Sequence, residues 1–163
     1  ICLGRGDTIE QSHSLQMGAV RLYREYPVSD VHAALAVSDL AQAMLAEVRP
    51  RVLAAERADE WFGVGGTFTN GAALIQNIAW TSKDSIHGYR IKATQVEAAI
   101  AVLAPMPIED RLRLPSLQPQ RADIVVHGLA ILLGCMRAME IERITVSEYG
   151  NLEGFLKREY KLA

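Results

Sequence analysis

The sequence has 163 residues, 50% of them hydrophobic and 22% charged, which fits one compact domain and excludes global disorder. Seventeen basic residues against nineteen acidic ones leave a formal net charge of −2, so neither nucleic acid nor an anionic membrane is an expected partner. Cys2 and Cys135 make no CxxC pair and no disulfide framework, which points to a reducing cytoplasm, and the longest apolar run, Gly128–Met136, is about half of a bilayer span.

In chain order, Ile1-Cys2-Leu3, the turn Gly4-Arg5-Gly6-Asp7 and the return Thr8–His13 read as a hairpin. The chain opens inside this strand pattern and so reads as a piece of a longer protein. Ser14–Gly18 alternates polar and apolar and predicts a third strand; Ala19–Tyr26 predicts a short helix closed by Pro27. Ser29 or Asp30 caps a long helix through Val48, which Pro50 kinks or ends before helical character resumes over Val52–Arg57. Glu60–Val64 is a buried-strand candidate, followed by Gly65-Gly66-Thr67 and a helix over Ala72–Ile78.

Trp80–Arg90 reads as a loop or hairpin, Lys92–Leu103 as a helix, and Pro107–Arg111 as a short helix started by proline. Arg121–Met139 is hydrophobic nearly all round and therefore a central helix. Ile144–Ser147 is a strand, Gly150 a turn, and Leu152–Tyr160 a closing amphipathic helix. Strands first, then strand and helix in alternation, predict an α/β domain, whose ligands ordinarily sit at strand ends.

Two glycine loops occupy such ends. Phosphate needs backbone N–H groups aimed at one point, and glycines reach the required backbone angles. Gly4, Gly6 and Thr8 suit that task, with Arg5 adding charge and Asp7 beside them; a plain tight hairpin is the competing reading. Gly65, Gly66 and Thr67 lie between a strand and a helix, where first-turn amides are unpaired; close helix-to-strand packing is the competing reading. His13, His32, His87 and His127 form no metal spacing, and His127 and Cys135 read as core residues of the central helix. Arg121 and Asp123 read as structural, and Lys157, Arg158 and Lys161 as a solvated face.

These residues resemble the C-terminal actin-like subdomain of the exopolyphosphatase/guanosine pentaphosphate phosphatase (Ppx/GppA) family. The family's D-I-G-G-G-S-T-E followed by S-L-x-x-G-A-V-R-L is similar to Cys2–Ile9 followed by Ser14–Leu22. Its G-G-T-x-T is similar to Gly65–Thr69, and its L-P-G-L-x-P-x-R-A-D-V-I to Leu114–Val125. The likeness continues from Gly128 through Ile144–Ser147 to Gly154.

The resemblance implies an RNase H-like, actin-like ATPase lobe with a mixed sheet flanked by helices, residues 1–163 being the second lobe. It also implies a cleft with a first lobe, magnesium, and release of terminal phosphate from polyphosphate or guanosine pentaphosphate by an activated water. That lobe is the expected partner, with a homodimer as another, and an exposed apolar face is expected where it docks. The water-activating glutamate belongs to the first lobe, so the 163-residue chain alone is expected to show no turnover.

Cys2 stands where the family has its aspartate and Ile9 where it has its glutamate, so both expected magnesium carboxylates are replaced. Arg5 stands for the middle glycine, Asp7 for the serine, and Leu152 for a basic residue near the end. These changes leave open a non-catalytic member that binds a phosphorylated ligand or partner, or another actin-like phosphotransferase.

Overall fold

A computed structural model describes residues 1–6, 8–54, 58 and 60–160; Asp7 and Lys161 lie outside them. Strands β1 (Cys2–Arg5) and β2 (Thr8–Ser12) form the expected hairpin, antiparallel, with a bulge between Leu3 and Gly4 and Gly6 at φ 57° in the turn. The Ile1 ammonium donates to the His13 carbonyl at 2.7 Å, and the His13 amide returns a bond to Ile1 at 2.8 Å. The third strand expected over residues 14–18 is absent: that segment is irregular, and its alternation reflects Leu15 and Met17 packing on the core without a ladder partner.

Helix α1 (Ala19–Glu25) ends before Pro27, and α2 (Val31–Met44) starts at Asp30, whose carboxylate accepts the Ala33 amide at 2.8 Å. The long helix stops earlier than expected, turns through residues 45–48, and restarts as α3 (Arg49–Ala54) with Pro50 near its start, where its missing N–H breaks no helical bond. The continuation to Arg57 lies outside the described residues.

Strand β3 (Phe62–Val64) leads through Gly65 into α4 (Gly66–Gln76), which begins six residues before the helix expected at Ala72. Residues 80–90, expected as a loop or hairpin, hold the short helix α5 (Lys83–Ile86) and lead into β4 (Arg90–Lys92). Helices α6 (Ala93–Leu103) and α7 (Ile108–Arg111) follow, then a 3-10 turn at Pro119–Arg121. Helix α8 (Val125–Ala138) starts later than the expected Arg121, because that turn takes up the segment after Pro119. Strand β5 (Arg143–Ser147) and α9 (Asn151–Tyr160) are the last described elements.

The mixed sheet has the order β3-β5-β4, with β3 parallel and β4 antiparallel to β5. Helix α4 packs on β3 and β5, α6 on β4, and α8 against α1, α2, α4 and α6. Eleven of the fourteen α8 residues are buried, as its all-round hydrophobicity requires. A methyl group at Gly134 would stand 2.3 Å from the Ser38 carbonyl oxygen, so this glycine lets α8 and α2 touch backbone to backbone.

Arg111 is 5% exposed and has no carboxylate partner among the described residues. It donates instead to the carbonyls of Leu103 (3.0 Å), Ala104 (3.2 Å) and Ala122 (3.2 Å). It therefore ties the C-terminal carbonyls of α6, of which Leu103 also accepts the Met106 amide at 3.1 Å, to the segment entering α8. No described helix is long and apolar enough to cross a membrane.

Candidate functional site: an amide pair under a guanidinium

The strand-to-helix turn at β3–α4 is built by close approach. Gly65 has φ 102°, a region that favours glycine. A methyl at Gly63 would lie 2.0 Å from the Phe68 ring, and one at Gly66 would lie 2.6 Å from Cζ of Arg121. Close packing demands glycine at both, helix against strand at Gly63 and the side chain of the 3-10 turn at Gly66, where the group lying on the backbone is a guanidinium.

The Gly65 carbonyl accepts the amides of Phe68 (3.0 Å) and Thr69 (3.2 Å). The amides of Gly66 and Thr67 have no acceptor among the described residues. They open an eleven-residue helix, whose N-terminus carries partial positive charge. Arg121 is half-buried, and its guanidinium makes no hydrogen bond or ion pair with any described residue. Two free amides and one uncommitted cation at one helix start can hold an oxyanion by charge-assisted hydrogen bonds. The Thr67 side chain turns the other way: its Oγ1 lies 2.8 Å from where a methyl on Gly128 would be, so it packs against α8.

The hairpin loop is placed differently. Gly4, Gly6, Thr8 and Arg5 are exposed, and Arg5 Nε donates to Glu10 Oε1 at 3.2 Å. Asp7 lies outside the described residues. The approach that needs glycine here is Gly4, where a methyl would meet the Thr8 carbonyl oxygen at 2.9 Å. The two loops share one border: Cys2 and Thr67 both line an apolar cavity of about 630 Å³ between the hairpin and the sheet, with Phe62, Val64 and Cys135. Gly4, Gly6, Thr8, Gly65 and Gly66 are not part of that lining.

Cys2 is exposed, with Sγ 3.6 Å from Ser12 Oγ, and Ile9 is 70% exposed on β2. Among the described residues no three His, Cys, Asp or Glu side chains gather where they could hold a metal ion. Glu10, the carboxylate after Ile9, is taken by Arg5. The described donors of this chain do not make a magnesium set.

Cys135 in α8 has its thiol pushed up to about 11 by burial, with the Ile1 ammonium pulling the other way, so it is inert as the sequence suggests. His127 is 2% exposed, shares a 2.8 Å hydrogen bond with the Tyr26 carbonyl through Nε2, and meets the Tyr23 ring edge-on. Burial holds its pKa below the usual imidazole value. The Tyr26 hydrogen bond opposes that shift, Arg111 adds to it, and Asp123 opposes it. His127 is a core residue and not a ligand.

Arg121 is the functional candidate that sequence reading set aside as structural, because nothing in its spacing shows that a 3-10 turn folds it back over Gly66. The signal available was the R-A-D segment, matched to the family only as a string of letters. Asn70, buried beside Gly66, carried no signal at all.

The chain matches the Ppx/GppA phosphatase family over residues 1–162. It is 28% identical over 160 residues to exopolyphosphatase 2 of Mycobacterium tuberculosis, a match that covers 94% of this chain and 50% of the relative. The crystal structure of the Ppx/GppA family member of Aquifex aeolicus superimposes with a TM-score of 0.86 at 24% identity, covering 98% of this chain and 52% of the other. A Cytophaga hutchinsonii exopolyphosphatase superimposes at 0.76 with 18% identity, covering 96% and 52%. The chain thus spans about half the length of the relatives it matches, and it has their actin-like α/β fold. On the family match across nearly its whole length, this chain belongs to the Ppx/GppA phosphatase family.

Proposed function

We propose that residues 1–163 form one domain, the second lobe of a phosphatase that removes terminal phosphate from polyphosphate or guanosine pentaphosphate. One observation carries the reading: the free amides of Gly66 and Thr67 lie at the start of α4, with Arg121 over Gly66. That seat holds a phosphate of the chain being cut, and the hairpin loop with Gly4, Gly6 and Thr8 is a weaker second seat. Arg5 contributes less than its charge suggests, being paired with Glu10. Catalysis here is positioning and charge neutralisation of the phosphoryl groups, with the attacking water activated from the other lobe.

The apolar side of α9 supports a second lobe as partner. Leu152, Phe155, Leu156 and Tyr160 recur at helical spacing, and their exposures of 65%, 51%, 38% and 69% leave a face for a neighbour to cover. That relatives of which this chain spans about half are exopolyphosphatases favours polyphosphate as the substrate class.

A second reading, a phosphate binder without chemistry, is favoured by Cys2 and Ile9 and by the exposed, outward setting of Ile9. Phosphate release by the full-length protein, from polyphosphate and from guanosine pentaphosphate with magnesium, separates the two. The phosphatase reading expects turnover that the isolated 163-residue chain lacks and that Arg121→Ala lowers by ~10-fold or more, the loss of one or two charge-assisted hydrogen bonds. Binding without turnover, restored to turnover by Cys2→Asp with Ile9→Glu, selects the second reading. Turnover by the isolated chain overturns the lobe assignment.

A further inference from the structure

Asn70 lies one turn into α4 and is 4% exposed. Its Nδ2 donates to the Gly66 carbonyl at 2.8 Å, and its Oδ1 accepts the amide of Gln118 at 2.8 Å from a segment 48 residues away. Gln118 starts the 3-10 turn, and its carbonyl accepts the Arg121 amide at 2.8 Å. The Arg121 side chain then comes back over Gly66. Gly66, Asn70, Gln118 and Arg121 thus close a ring around the start of α4.

A carboxamide suits this position chemically. The Gly66 carbonyl, which also accepts the Asn70 backbone amide in the α4 ladder, takes a second donor, the Gln118 amide needs an acceptor, and a primary amide offers both from one rigid group. Aspartate keeps the acceptor but sets a carboxylate against the Gly66 carbonyl; alanine leaves the half-buried Gln118 amide without this acceptor.

We infer that Asn70 is a positioning residue: it pins the 118–121 turn to the first turn of α4 and so holds the Arg121 guanidinium against Gly66, at the helix start that carries the two free amides. Arg111 anchors the far end of the same turn through the Ala122 carbonyl, which leaves Asn70 as the link on the side facing Gly66. The consequence for anion binding rests on the reading of α4 as an oxyanion seat; the positioning itself does not.

The test uses the 163-residue chain with inorganic tripolyphosphate as the probe, comparing wild type, Asn70→Ala, Asn70→Asp, Arg121→Ala and the Asn70→Ala/Arg121→Ala double variant. Nitrogen-15 relaxation of the Arg121 Nε–Hε group, without ligand, reads how firmly the guanidinium is held. Calorimetry reads tripolyphosphate affinity, and circular dichroism checks that each variant is folded. Asn70→Asp serves where Asn70→Ala fails to fold.

The expected result is an ordered Arg121 side chain in wild type that becomes mobile in both Asn70 variants, with affinity down ~10-fold and little further loss when Asn70→Ala is added to Arg121→Ala. An Arg121 side chain that stays ordered without Asn70, or losses that multiply in the double variant, overturns the inference. If tripolyphosphate does not bind wild type while Arg121 order still depends on Asn70, the oxyanion reading falls and the positioning role stands.

Discussion

The two glycine loops look alike in the sequence and are opposites in the structure. At the α4 turn each side of the backbone has an occupant: the Phe68 ring on Gly63, the Arg121 guanidinium on Gly66, and the buried amide of Asn70 at the Gly66 carbonyl. At the hairpin, Gly4 and Gly6 are exposed, and β1 and β2 make their main contacts with each other. A glycine run marks where backbone comes close to something, and only the fold says whether that something is protein, ligand or solvent. The loop held by packing is the better anion seat, because its donors are fixed before the ligand arrives and little ordering entropy is lost on binding.

Breaking the held loop has larger effects than breaking the hairpin. The largest is expected for Arg111→Ala, which removes a donor from three carbonyls, leaving Leu103 only its bond from the Met106 amide, and frees the turn that carries Arg121. A loss of about 3 kcal/mol or more is expected in urea unfolding. Gly63→Ala comes next: its methyl must displace the Phe68 ring, and overpacking of this kind costs about 1–3 kcal/mol, readable as a lower Tm.

Acid gives a smaller effect at the start of α8. The folded His127 pKa lies below its unfolded value of 6.5, so the unfolded chain takes up the proton first and stability falls as pH drops through that value. The unfolding midpoint should therefore decline as pH falls through about 6.5 and below, and His127→Gln should flatten that decline. The smallest effect belongs to the hairpin. Gly6→Ala meets no neighbour and carries only the strain of a positive φ, about 1 kcal/mol confined to an exposed turn, so global melting should be nearly unchanged. A drop as large as that of Gly63→Ala would remove the distinction between the two loops.

The legible parts of this molecule were those fixed by local chemistry. Asp30 announced the start of α2, Pro27 the end of α1, and the apolar circumference of Val125–Ala138 announced a helix buried on all sides. Residues 14–18 misled because alternation reports that one side faces the core, and that condition is met without strand pairing. The start of α4 misled because Gly66, Thr67 and Thr69 are poor helix formers, and tertiary contacts from Arg121 and Gly128 hold them helical against propensity.

Half of the site was legible for the same reason. Gly65-Gly66-Thr67 was visible as a loop, whereas Arg121 and Gln118 reach it from about fifty residues away. Their approach depends on the 3-10 turn after Pro119 and on the Arg111 anchor, and neither leaves a spacing that sequence reading detects. Thr67 lies in the first turn of α4, where Gly65 is the N-cap, and its side chain packs on Gly128.

An amide chemical-shift titration of the 163-residue chain with inorganic tripolyphosphate separates the two loops most directly. With the anion seat at the start of α4, the Gly66 and Thr67 amides and the Arg121 Nε–Hε signal move together at the lowest concentrations, with Gly6 and Thr8 following later or not at all. Movement of the Gly6 and Thr8 amides while Gly66 and Thr67 stay still would contradict it, and would put the anion seat in the hairpin.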